Sequence, residues 1–170
     1  MKRLLVIPGI LSLLVLVGCN GPTTPSGASP AAGIVGAAAN GPVSVPFKGD
    51  FEGTQTVTPG PPPTATVVMD AEGQGSLVGR FEISLPHTVN FATSSASGVA
   101  TIVAADGSRI VANFTGQAQV GPIVSILEQA TITSGTGRFA EASGTFTIRR
   151  TFNPATGQTA GSFEGAVQLR

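Results

Sequence analysis

The chain has 170 residues, of which 11% are charged, and its nine Lys and Arg balance nine Asp and Glu. With 23 Gly and 13 Pro it is poor in helix formers and rich in turn residues, which favours one all-β domain of ordinary size plus extensions. Lys2 and Arg3 fall in a leader; the remaining seven basic residues against nine acidic ones leave −2, with no basic patch, which argues against nucleic-acid binding.

Met1 to Gly18 reads as an export signal. Lys2 and Arg3 form a positive start, and Leu4 to Val17 is an apolar run of 14 residues broken by Pro8-Gly9. A membrane-spanning helix needs about 20 apolar residues, so this run is too short to span. Leu16-Val17-Gly18-Cys19 resembles the bacterial lipoprotein signal, which implies cleavage before Cys19 and fatty acylation (as by palmitate) of its thiol and new amine. The competing reading is a plain secretory signal with an incidental cysteine. As the only cysteine, Cys19 has no partner for a disulfide within the chain. Two or more acyl chains anchor stably, each buried CH₂ contributing about 0.8 kcal/mol. Asn20 after the cysteine implies, by the same resemblance, sorting to the outer membrane where the host has one.

Asn20 to Val45 carries no charge and no periodicity, so residues 19–45 read as a lipidated cysteine and flexible tether. The 26 residues from Asn20 to Val45 give an end-to-end distance of roughly 30 Å.

Residues 46–170 form the domain, with eight strand candidates. In Pro46 to Thr58, Phe47, Gly49, Phe51 and Gly53 alternate with Lys48, Asp50, Glu52 and Thr54, the period of a half-buried strand. The proline-rich stretch 59–63 must be a loop. Thr64 to Glu72 is the second strand, turned at Gly73-Gln74-Gly75 into Ser76 to Leu85. Pro86 to Ser95 reads as an irregular connection carrying the only histidine, His87, as a surface residue. Ala96 to Ala105 and Ser108 to Ala118 flank Asp106-Gly107, a two-residue hairpin signal. Gly121-Pro122 breaks the sheet before Ile123 to Thr133. Gly144 to Phe152, a turn at 153–157, and Gly161 to Arg170 complete the set.

Eight short strands make either a single antiparallel barrel or a β-sandwich. The barrel is preferred because closure removes edges and because Phe51-Glu52-Gly53 in the first strand recurs as Phe163-Glu164-Gly165 in the last. Trp and Tyr are absent, and the nine Phe, which have no polar handle, read as core.

Between the sixth and seventh strands, Gly135 and Gly137 permit positive φ around a corner, and Phe139 plugs an end of the core. Thr133-Ser134-Gly135-Thr136-Gly137-Arg138-Phe139, followed by Ala142-Ser143-Gly144, resembles a segment of the allene oxide cyclase and dirigent-like barrels, also frequent in uncharacterised exported bacterial proteins. Gly73 to Phe81 resembles a second segment of those proteins. The resemblance implies a barrel. The pocket residues on which the plant proteins depend have no positional match here, so their activity is not carried over.

On parity, Glu128 falls with Ile126, Ala130 and Ile132, and Arg150 with Phe146, Ile148 and Phe152. Facing inward, the two line a cavity, as partners or as holders of a polar ligand head; the competing reading puts both near barrel mouths in water. No residue stands out as catalytic, no Cys/His/Asp cluster has metal-ligand spacing, and no cofactor is implied. The expectation is an exported protein held to a membrane by its acyl anchor, with a non-enzymatic barrel that binds a small apolar ligand or an envelope protein. The alternative is an isomerase- or cyclase-like enzyme using the barrel interior.

Overall fold

Strict alternation decides the architecture. A computed structural model describes residues 41–170. It contains β1 (Val43–Pro59), β2 (Thr64–Gly75), β3 (Gly79–Asn90), β4 (Ser95–Ala104), β5 (Arg109–Gln119), β6 (Val124–Thr136), a 3₁₀ turn (Gly137–Phe139), β7 (Ser143–Asn153) and β8 (Gln158–Leu169). Each strand pairs antiparallel with the next, and β8 pairs with β1 to close an eight-stranded barrel. The barrel reading therefore holds over the sandwich. The expected signal peptide, Cys19 and most of the expected tether lie outside the described residues.

Alternate positions face a common interior. Phe47 and Phe51 on β1, Met69 on β2, Phe81, Ile83 and Leu85 on β3, Ile102 on β4 and Ile110 on β5 are all buried. The outward positions of β1 to β3 carry Lys48, Asp50, Glu52, Glu72, Arg80 and Glu82, the reverse of a barrel that faces lipid. At the end of the barrel where β1 begins and β8 ends, Phe47 packs on Phe163 at 4.5 Å between ring centres and edge-on to Phe146 at 5.2 Å. Phe81 meets Phe163 at 5.4 Å. Such pairs add about 0.5–1.5 kcal/mol each beyond simple burial. Phe139, 1% exposed, closes this end as expected.

Small residues make room for the rings. Gly73 faces inward between Phe51 and Phe81, its lateral partners on β1 and β3, and a Cβ there would lie 2.6 Å from the Phe81 ring. Gly73 to Gly75 therefore stay within β2 instead of forming the expected turn, which falls at residues 76–78 with Leu77 at φ 70°. At the corner after β6, only Gly137 (φ 60°) and Gly144 (φ 139°) are left-handed. Gly135 remains in β6, where a Cβ would strike the Phe139 carbonyl.

Three other boundaries differ from expectation. β1 starts at Val43 because Val43, Ser44 and Val45 pair with Leu169, Gln168 and Val167. The β4–β5 loop has four residues, 105–108, with Gly107 at φ 82° and its N–H donating to the Ala104 carbonyl at 2.9 Å. β3 runs on through Pro86 to Asn90. Its ladder with β4 is interrupted between Ser84 and His87, around Pro86, which has no N–H to give; Pro86 points outward, so the strand keeps its parity. His87 thus faces the interior and is buried, correcting its assignment to a surface loop. The repeated Phe-Glu-Gly segments lie on the two closing strands but out of register: Gly49 is opposite Phe163, and Phe51 is opposite Gly161.

Candidate functional site

The opposite end of the barrel, where β1 ends and β8 begins and here called the distal end, has a different interior. Parity on β6 and β7 turns Glu128 and Arg150 inward, and register sets Glu128 opposite Ile148, so Arg150 lies on its diagonal. Arg150 Nη2 donates to Glu128 Oε1 at 2.8 Å and Nε to Oε2 at 3.1 Å. The two side chains are 1% and 0% exposed. The remaining nitrogen, Nη1, reaches past β8 and donates to Gln55 Oε1 on β1. The expected inward placement and pairing are therefore present, and the reading that put both in water at the barrel mouths is not.

His87 completes the group. Its Nδ1 is 2.7 Å from the Leu85 carbonyl, which can only accept, so Nδ1 carries the proton and Nε2 is the acceptor. The ring stands edge-on to Phe114 at 5.6 Å. Burial lowers its pKa from 6.5, and the charge of Arg150 pushes the same way; the Leu85 hydrogen bond and Glu128 oppose.

Each of these large polar side chains has a glycine as its lateral partner: His87 faces Gly98, Glu128 faces Gly116 and Arg150 faces Gly161. A Cβ on Gly116 would lie 2.6 Å from Glu128 Cγ, and one on Gly161 would lie 2.6 Å from Arg150 Cβ. The distal interior is thus built around the polar group. Gln55 and His87 were readable from parity, since Gln55 continues the Phe51, Gly53 series and His87 the Ile83, Leu85 series. Pro86 concealed the second.

The chemistry open to this group is narrow. The guanidinium is committed to Glu128 and Gln55, and no buried side-chain nitrogen or oxygen among the described residues lacks a partner. Rings and aliphatic side chains occupy the axis towards the end where β1 begins. Among the described residues, no group of three or more His, Cys, Asp or Glu is arranged to hold a metal ion.

The outer surface has two further features. A depression of about 910 Å³ crosses β8, β1, β2, β3 and β4, where Glu52, Glu72 and Glu82 stand side by side on adjacent strands. The other is the distal end itself. Its loops, 60–63, 91–94, 120–123 and 154–157, contain no charged residue. They present Phe91 (61% exposed), Val120 (81%) and Ile123 (48%). Loop charges lie at the opposite end, on Asp106, Arg138 and Glu141, where Arg138 pairs with Asp106 at 3.1 Å.

Fold and site together define a closed, water-facing antiparallel barrel with a ring-packed end and a polar-cored end. Comparison with protein-family models and with curated protein sequences gave no match. Among solved structures, the chain is similar to a pterocarpan synthase dirigent protein, GePTS1, with a TM-score of 0.56 and 15% identity over 75% of this chain and 89% of that one. At that identity the likeness is one of fold, and it supports the dirigent-like barrel expected from the glycine-rich segments.

Proposed function

We propose that the protein is an exported, lipid-anchored, non-enzymatic module of the cell envelope that works by binding at its outer surface. The observation that carries this reading is the occupied interior: the Phe47–Phe163–Phe146 rings fill one end, and the Glu128–Arg150–Gln55 group fills the other. An eight-stranded barrel is just wide enough for side chains to fill, and a carrier or an enzyme needs an open pocket of about 300 Å³ or more. Anchoring at Cys19 is supported by the leader and by Leu16-Val17-Gly18-Cys19. In a host with an outer membrane, Asn20 supports placement there.

A second reading, an isomerase- or cyclase-like enzyme, is favoured by the grouping of His87 with Glu128 and Arg150 in a fold shared with a pterocarpan synthase dirigent protein. Titration of the purified barrel with the apolar fluorophore anilinonaphthalene sulfonate separates the two. The surface module gives no saturable one-to-one binding. Stoichiometric binding that Glu128→Leu abolishes, without loss of fold, would assign the function to the interior.

A further inference from the structure

The two ends of the barrel are built for different surroundings. We propose that the distal end seats on the headgroup–acyl boundary of a lipid bilayer, with Phe91, Val120 and Ile123 as the inserted side chains. The inference rests on the anchored reading for its supply of a nearby bilayer, and it names the surface partner that the reading lacks.

Three observations carry it. The first is the segregation of charge. Dehydrating a charged side chain costs several kcal/mol in an apolar medium, and the four distal loops contain none, whereas loop charges are gathered at the opposite end.

The second is the backbone. Pro59, Pro61, Pro62, Pro63, Pro122 and Pro154 lie in or beside these loops and have no N–H to dehydrate. Of the remaining loop donors, the Phe91 N–H bonds the Pro63 carbonyl at 2.9 Å, the Gly60 N–H the Thr64 carbonyl at 3.1 Å and the Gly157 N–H the Asn153 carbonyl at 2.8 Å, while the strand donors Ala118 and Gln55 occupy the Ser94 and Gly157 carbonyls. These loops are therefore tied to neighbouring strands and, through Phe91 and Pro63, to one another, which lowers the number of free backbone groups that insertion would strip of water.

The third is shape. Phe91 and Val120 project from separate loops, at 61% and 81% exposure, with Ala92, Thr93, Ser94 and Gly121 beside them. Separate apolar tips suit a medium that deforms around them. Tips on separate loops offer a second copy a discontinuous contact, whereas a stable dimer needs roughly 1,200 Å² or more of well-packed surface in total. Without a basic residue in these loops, attachment depends on apolar burial and not on anionic lipid. Burial of a few side chains is weak alone, and the tether, which joins at the opposite end of the barrel where β1 begins, adds to it by keeping a bilayer within reach.

The test uses the barrel, residues 41–170, which holds the complete closed sheet. Because the chain has no Trp, Phe91→Trp is an unambiguous reporter, with Glu141→Trp at the opposite end as control. With phosphatidylcholine vesicles, Phe91→Trp fluorescence shifts to the blue and is quenched by brominated acyl chains, Glu141→Trp is unchanged, and added salt has no effect. Adding Val120→Ser or Ile123→Ser to the reporter weakens partition by about tenfold each, with unchanged unfolding midpoints. The proposal is overturned by an unresponsive Phe91→Trp, by binding that needs phosphatidylglycerol and vanishes with salt, or by a blue shift that follows protein concentration without vesicles. None of these outcomes depends on Cys19, so failure here is distinct from failure of the anchor.

Discussion

Arg150 grips both carboxylate oxygens of Glu128 inside the barrel, at 2.8 and 3.1 Å, with neither side chain in water. Attraction at this separation is offset by the cost of dehydrating both charges, so the pair as a whole adds little net stability. Removing one partner is another matter, because the survivor stays buried and uncompensated. Glu128→Leu or Arg150→Met alone is expected to cost about 3–5 kcal/mol. The double replacement should recover most of that loss, and urea unfolding of the four proteins measures the coupling directly.

The glycines beside the polar group give a second expectation. Gly116→Ala would set a methyl 2.6 Å from Glu128 Cγ and 3.1 Å from the Leu127 carbonyl. A loss of about 1–3 kcal/mol is expected from the overpacking. In a Glu128→Ala background the same change should cost less, since the closest obstacle is gone. Equal costs in both backgrounds would place the constraint in the backbone.

His87 makes stability depend on pH. Its folded-state pKa lies below the unfolded value of 6.5, chiefly through burial and with Arg150 adding to it. Between the two values the unfolded chain binds more protons, so unfolding free energy falls as pH drops below 6.5 and levels off beneath the folded value. His87→Gln should flatten that slope while still donating to the Leu85 carbonyl. Asp106 titrates in a separate window below 3.8, its pKa held down mainly by the Ser108 N–H. Unfolding midpoints from about pH 8 to about pH 5 isolate the histidine contribution.

The barrel was legible because apolar and polar residues alternate with little interruption from Phe47 to Leu169, and turn residues separate the runs. Glu128 and Arg150 were legible for the same reason: each sits in an apolar series. What one strand's parity does not contain is the partner two strands round the sheet. Gln55 lies 95 residues from Arg150 in the chain, and only closure brings the two together. Pro86 hid His87 because proline usually ends a strand, yet here its ring points outward and only the ladder is interrupted. The charge-free end was hidden in a different way. Its four loops are scattered along the sequence, and only the up-and-down connectivity gathers every second loop onto one side.

The proposed anchoring has a direct cellular consequence. Cys19→Ser removes the thiol proposed to carry the acyl group, and the protein is expected to leave the membrane fraction or fail to mature. Fractionation with detergent partitioning reads this out, and unchanged membrane association of the variant would remove the lipoprotein assignment.

Native mass spectrometry of the protein purified from host membranes tests the anchored, side-chain-filled barrel most directly. The expected species is a chain beginning at Cys19, carrying acyl groups and holding no stoichiometric small molecule. A chain without acyl groups, or one that retains an equimolar ligand lost on Glu128→Leu substitution, would contradict it.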